Sequence, residues 1–570
     1  MGDMNNVAHL QGNPGTQSND SQKTPLERKV VVLTQKEHIA LKWQGSFWKT
    51  QHSRAIKREK ALTQELQQAK AEIISLKQRL YGKKSEKSAR KDSGGPNTRS
   101  TSILNRGQQF KSKGHGRTAR PNLPVVEEVH DVPPEEKCCS VCGCARPEFF
   151  KTDDSEIVEV QVGAYIRKIR RKQYKPCQCE RDKYPGIIAA PPATRLMPKS
   201  SLGISVWVEL LLNKFLFSTP TNRSVTDLRY QGFPISQGTI TGGLKRLPEL
   251  FRPLAEAMLA QQMSERLFHG DETRWMVFEP IDGKTGCNWF LWVVQSASVT
   301  YYRVSPGRGS DVPKEHFSSM PEDVSQVIFI CDRYSGYKKF AKDSSTDVLL
   351  AFCWVHVRRD FLEIARSRPE YEEWMFTWVN DIRDLYKLNA KRLEYWQDSI
   401  PLQEQSKNFS LCQKNLAQKL SAMMERCNNC LQDDKLATPK RKLLESLKEH
   451  WPGLTVFLEH PQVDMDNNSA ERAIRNPVIG RKNYYGSGKI WSATLSALMF
   501  TTLQTILQWG INPRHWMHSF LTACAENGGA APLDLSPFLP WKMDENRKQK
   551  LSSPRLTSQP TPVSLIDDSS

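Results

Sequence analysis

Residues 266–280 read RLFHGDETRWMVFEP, and how this run is taken decides the fold. At Arg266 the hydrophobic period changes from that of helices to that of strands. This run, GCNWFLWVVQSA (286–297) and SVTYYRVSP (298–306) form a three-strand meander separated by turn residues. A helix over DVPKEHFSSM (311–320) leads into a buried strand, SQVIFICD (325–332). A further strand, TDVLLAFCW (346–354), runs into the helix VHVRRDFLEIARSR (355–368). The order β-β-β-α-β-α-β-α predicts a mixed sheet flanked by helices.

That order is the one of a ribonuclease-H-like domain, here placed at 264–535. Residues of about 369–461 are helical and charged and carry no strand signal, so they read as an insertion before the domain resumes at Val463. Upstream, 201–263 reads as helices, and two short ones around Gly232-Phe233-Pro234 have the pattern of a helix-turn-helix with Ser236 as a cap. DNA reading and plain structure are equally open for this pair. A cysteine-containing module occupies 125–192, behind a linker at 82–124 whose span from Gly82 to Arg120 holds eleven basic residues against Glu86 and Asp92. Such a linker is a solvated tether or a non-specific phosphate binder. In 57–81, Leu62, Leu66, Ala69, Ile73, Leu76 and Leu80 follow the 4-3-4-3-4 spacing of a coiled-coil seam. An amphipathic helix packed on the body satisfies the same pattern. Residues 1–56 are expected to be disordered or weakly ordered, and 536–570 to carry a short motif and a disordered tail. The whole is a multidomain protein with an α/β catalytic core.

The chain has 570 residues and a formal net charge of +19, from 81 Lys and Arg against 62 Asp and Glu. The excess attracts polyanions at long range without naming one. No run of 18 apolar residues and no signal-peptide pattern is present, so a membrane span is not expected and the chain reads as cytoplasmic. Its 13 cysteines are then thiols or metal ligands rather than disulfides.

Three carboxylates stand where chemistry is placed in such sheets. Asp271 lies within the first strand, Asp332 directly follows the apolar strand, and Glu471 lies in VDMDNNSAERAIRNPVIGRKNYYGSGK (463–489). Converging acids cannot all stay ionised unless cations sit between them. Hard oxygen ligands favour Mg2+ or Mn2+, and two such ions suit phosphoryl displacement. Taken singly, Asp271 also fits a salt bridge to Arg274, and Asp332 a helix cap. On a helix, Asn467, Glu471 and Arg475 share a face, with Asn468 beside them. The amides would orient ligand or phosphate, while Arg475, Arg481 and Lys482 would grip a DNA backbone. YYGSGK adds aromatic surface and glycines that allow close approach to DNA.

These residues resemble the bacterial DDE transposases of the insertion sequence 66 family, over nearly the whole chain. RLYGKKSEK (79–87), HGDETRW, FICDRYSGY, AFCWVHVRRDF, DNNSAERAIRNPVIGRKNYYGSGK and LSPFLPWKM follow in that family's order. The resemblance implies Asp271, Asp332 and Glu471 as a catalytic triad interrupted by a helical insertion. It implies binding to the inverted repeats of a mobile element, metal-dependent cleavage, and joining to target DNA, with a homo-oligomer on DNA and accessory proteins of the same element as partners. It marks Cys353 and His356 as a Cys-x-x-His signature near the active site, with a buried cysteine and a structural histidine as the alternative. The cysteine module is similar to the family's zinc-binding domain: Cys139-x-x-Cys142 and Cys177-x-Cys179 offer four thiolates for a structural Zn2+. The second pair is C-x-C where the family has C-x-x-C, and Cys138 and Cys144 are alternative ligands. Cys427 and Cys430 read as structural. A rival reading is a non-catalytic repeat-binding protein, a decayed copy of such an enzyme.

Overall fold

The computed structural model describes residues 34–81, 144, 163–174, 188–189, 192–198, 200–284 and 286–552. The chain divides into two units, 1–90 and 91–570. In the first, helix α1 (Gln35–Tyr81) runs for 47 residues. A reciprocal capping box starts it: the Glu37 amide donates to the Thr34 hydroxyl at 3.4 Å, and the Glu37 carboxylate accepts the Thr34 amide at 2.8 Å. The helix thus begins well ahead of Lys57, inside the segment expected to be weakly ordered. Leu62, Leu66 and Ile73 of the seam are exposed, as are Trp43 and Trp48.

In the second unit, strands β1 (Gln173–Tyr174) and β2 (Ile188–Ala189) form a short antiparallel pair within the cysteine module. Cys139, Cys142, Cys177 and Cys179 lie outside the described residues. Helices α2 (Ile204–Phe215), α3 (Thr221–Tyr230), α4 (Gln237–Leu244) and α5 (Pro248–Gln262) follow. Ser236 caps α4 as its position predicts, accepting the Thr239 amide at 3.1 Å. These helices do not form a separate body. Trp207, Leu211, Phe251 and Met258 share one core with Trp275, Leu291 and Val293 of the sheet.

The sheet comprises β3 (Leu267–Met276), β4 (Asn288–Gln295), β5 (Thr300–Ser305), β6 (Gln326–Cys331) and β7 (Asp347–Phe352) in the order β5-β4-β3-β6-β7. The first three strands pair antiparallel and β3, β6 and β7 pair parallel. Helices α6 (Asp311–His316), α7 (Ser335–Asp343) and α8 (Trp354–Ser367) fall where the sequence places them. This mixed sheet with its helices is compatible with a ribonuclease-H-like α/β core.

Strand alternation feeds two cores. Leu291 and Val293 enter the core of α2 and α5, whereas Trp292 and Val294 enter a second core with Phe329, Tyr337 and Trp354. The insertion is five helices: α9 (Glu372–Leu393), α10 (Lys407–Leu431), α11 (Thr438–Glu449), α12 (Trp451–Leu454) and α13 (Val456–Glu459). Their apolar faces extend the second core through Trp378, Leu416 and Leu444. Buried Arg392 donates to the carbonyls of Phe457 at 2.8 Å and Leu458 at 3.1 Å, fixing the exit of the insertion.

Helices α14 (Asn468–Tyr484), α15 (Ile490–Gln508), α16 (Pro513–Glu526) and α17 (Glu545–Ser552) complete the unit. By length and composition α15 could cross a membrane, yet 67% of it is buried inside the protein. It covers the edge strand β5: the Thr505 hydroxyl accepts the Thr300 amide at 3.1 Å, and the Thr501 hydroxyl accepts the Tyr302 amide at 2.9 Å. Hydroxyls of a core helix thereby satisfy an edge that would otherwise pair with another chain. Beyond residue 536, Phe538, Leu539, Met543 and Leu551 are buried in the first core, so the C-terminal motif is packed as far as Leu551.

Candidate active site

Alternation along β3 hands every second residue to α14, which runs beside it in the same direction. The Trp275 indole N–H donates to Ser487 Oγ at 3.0 Å, and Arg481 Nη1 donates to Thr273 Oγ1 at 3.1 Å. At the other end His269 Nδ1 lies 3.3 Å from Asn467 Oδ1. Asp271 sits in this series, level with the first turn of α14, where Glu471 is placed. The register supplies the third acid. His269 pairs with Ile330, so Asp271 and Asp332, each two residues further on, stand side by side beyond the end of β6.

Burial is the largest influence on Asp271 and lifts its carboxyl to about 7. Glu272, Asp332 and Glu471 add to the rise by repulsion, and the Glu272 amide, donating to Asp271 Oδ1 at 2.8 Å, opposes it. Three carboxylates from a strand, a strand end and a helix start therefore share one field. No ion pair links Asp271 to Arg274 among the described residues. Asp332 Oδ1 accepts the Tyr334 amide at 2.9 Å, so it shapes the turn into α7 with one oxygen. Glu471 Oε1 is buried with no hydrogen-bond partner and stands 3.6 Å from His356 Nε2. Burial and Arg359 hold His356 below its ordinary value, against the charges of Glu471 and Asp332. The Cys353 sulfur, at the start of α8, accepts the Asn467 amide at 3.3 Å.

The basic residues separate. Arg475 and Lys482 are exposed on α14, and Asn468 is half-buried with its amide donating to Asp466 Oδ1 at 3.1 Å. Arg481 is engaged internally, donating to Thr273 and to the Arg274 carbonyl. Asn467 departs further from the role expected of it. It is 1% exposed, and its Nδ2 donates to the Gly270 carbonyl at 2.7 Å. It clamps β3, α8 and α14 together and is unavailable to a phosphate. Gly486 differs too: at φ +112° its missing side chain would lie 2.3 Å from the Met276 carbonyl. That glycine lets the chain close onto β3, where the Ser487 amide donates to Met276 at 2.8 Å.

Glu272 is the residue that motif reading passed over. Its side chain is 2% exposed and points to the opposite face of the sheet, onto Tyr337 and onto Arg308, whose Nη2 donates at 2.5 Å. Arg308 lies in turn over the Tyr334 ring at 3.9 Å. In HGDETRW the signal was the adjacency itself, since neighbours on a strand must face opposite ways.

A model of the transposase IS66 family matches residues 199–495, a span that holds all three carboxylates and the insertion. Three proteins of Sinorhizobium fredii are similar to the chain. The uncharacterized protein y4jD is 23% identical over 463 residues, covering 76% of this chain and 83% of that protein. The uncharacterized protein y4qI is 24% identical over 460 residues, 77% and 80% respectively. The uncharacterized protein y4hP is 23% identical over 428 residues, 71% and 73%.

Proposed function

The chain belongs to the IS66 transposase family, and from that premise we propose that it binds the terminal inverted repeats of its mobile element, cuts there and joins the freed ends to target DNA. The observation that carries this reading is the placement of Asp271: half-buried, lifted to about 7 by desolvation, and repelled by Glu272, Asp332 and Glu471. A protein that only bound DNA would gain nothing from that cost.

The donor set fits hard divalent cations. It is all oxygen, Asp271 is repelled by neighbouring carboxylates, and one oxygen of Glu471 has no partner. Asp271, Asp332 and Glu471 would hold Mg2+ or Mn2+, which when bound stabilises charge on the attacking and leaving oxygens of an in-line displacement. In the first reaction a water oxygen bonds to the end phosphorus, the bond to the 3′ oxygen breaks, and a 3′ hydroxyl is released. In the second that hydroxyl bonds to a target phosphorus and displaces a target 3′ oxygen. Asn467 and Arg481 position Glu471 by tying α14 to β3. Arg475, Lys482 and Asn468 meet the DNA backbone, with the net charge of +19 drawing duplex DNA in. Cys139, Cys142, Cys177 and Cys179 hold a structural Zn2+, the working form is a homo-oligomer on DNA with accessory proteins of the same element, and the protein acts in the cytoplasm.

Glu471→Gln keeps size and removes the charge. Cleavage of a labelled element end in Mg2+ should fall by at least about a thousandfold, several kcal/mol of barrier, while end binding holds. A variant that still cuts and joins at the normal rate means that the third carboxylate lies elsewhere. Wild-type protein that binds ends and never cuts them is the decayed repeat-binding copy instead.

A further inference from the structure

Cys353 and His356 stand beside Glu471 and take no part in the reaction proposed above. The Cys353 sulfur, a His356 ring nitrogen and a Glu471 carboxylate oxygen all lie within 4.8 Å of one another. Cys353 sits at the N-terminus of α8, its sulfur facing the amides of Val355, His356 and Asn467. Glu471 Oε1 is buried without a hydrogen-bond partner, and its 3.6 Å separation from His356 Nε2 is too long for a hydrogen bond between them. The His356 Nδ1 atom is also buried without a partner, so no acceptor on that side fixes the ring. An imidazole–carboxylate pair accounts for only two of the three clustered groups.

We propose that Cys353, His356 and Glu471 form a site for a thiophilic divalent cation of the zinc class, and that such an ion competes with Mg2+ for Glu471. Thiolate, imidazole and carboxylate together are a zinc donor set with a fourth position open, whereas Mg2+ has little use for sulfur. The way in is short: Cys353 is buried, while the His356 and Glu471 side chains are 25% and 29% exposed. Because Glu471 cannot serve both ions, the zinc-loaded protein keeps its hold on DNA and loses its chemistry. Transposition would then be throttled by free zinc through the third carboxylate itself.

The competition rests on Glu471 being that carboxylate; the binding does not, and a direct readout of binding keeps the two apart. Chelator-treated full-length protein is titrated with Co2+, whose thiolate charge-transfer absorption reports a bound sulfur. Wild type should take up one more equivalent with such a band than Cys353→Ser or His356→Gln, each of which retains every N-terminal cysteine and should bind that equivalent at least about tenfold more weakly. Loss of the extra equivalent in either folded variant supports the site; equal uptake and equal absorption by wild type and both variants overturn it. Should Cys353→Ser not fold, His356→Gln, with its partly exposed side chain, decides alone. Where the equivalent is present, a tenfold rise in Mg2+ should raise the Zn2+ midpoint for inhibition of end cleavage about tenfold. A midpoint indifferent to Mg2+ would leave the zinc site standing and remove Glu471 from the Mg2+ set.

Discussion

Asp271 is a carboxyl that is harder to ionise in the folded protein than in the unfolded chain, where its ordinary value is 3.8. The folded state keeps this proton up to about pH 7, and the unfolded chain has already released it above about pH 4. The stability from this group is therefore fully present below pH 4 and is lost as pH rises through 7, by up to roughly 4 kcal/mol. In metal-free protein, Asp271→Asn lacks this decline because an amide never ionises. Urea unfolding at pH 5 and pH 8 should show a smaller loss for the variant than for wild type, and parallel losses would mean that Asp271 is not under strain. Such residue-scale facts were unevenly legible. The approach of Asp332 and Glu471 to Asp271 was readable because strand, strand end and helix start are local patterns. Asn467 was not, since its bond to the Gly270 carbonyl spans 197 residues and nothing in a short window signals it. An asparagine beside arginines looks like a phosphate contact until the fold shows it buried.

Helix α14 carries two kinds of basic residue that the sequence presents as one. Arg481 is bound to Thr273 and the Arg274 carbonyl of β3, whereas Lys482, one residue on, is exposed. Lys482→Ala should weaken end binding and flatten its salt dependence by about one unit of slope, as for a lost phosphate contact, at unchanged unfolding midpoint. Arg481→Ala should instead lower the midpoint, by about 1–3 kcal/mol for the groups it leaves unpaired, and reduce cleavage through misplaced Glu471. Identical effects of the two changes would refute the division. The strand order was legible because apolar runs end at turn residues, and the insertion because it lacks such runs. What escaped was the way elements meet: the helices of 201–263 look separable on paper, yet Trp207 and Phe251 share a core with Trp275. Likewise, Thr501 and Thr505 look unremarkable in an apolar run until β5 is found against them.

At the scale of the molecule, α1 exposes Trp43, Trp48, Leu62, Leu66 and Ile73 along a 47-residue helix, and protein helices draw most of their stability from packing such apolar side chains. If the seam joins copies of the chain, Leu66→Pro should halve the mass of the protein by light scattering, free or on element ends, and leave the unfolding midpoint of the catalytic unit in place. Mass unchanged in both states would assign α1 to another surface. The packing of α14 on β3 bears, finally, on when the proposed chemistry becomes possible. All five strands of the sheet precede the insertion in the chain, and Glu471 follows it. A nascent chain therefore holds all five strands, with Asp271 and Asp332, while Glu471 is still untranslated. Closing so long a loop is slow compared with forming the meander. On the proposed function, cutting therefore awaits the synthesis of Glu471, and a chain stopped in the insertion would lack both that carboxylate and the helices α14 to α16 that complete the first core.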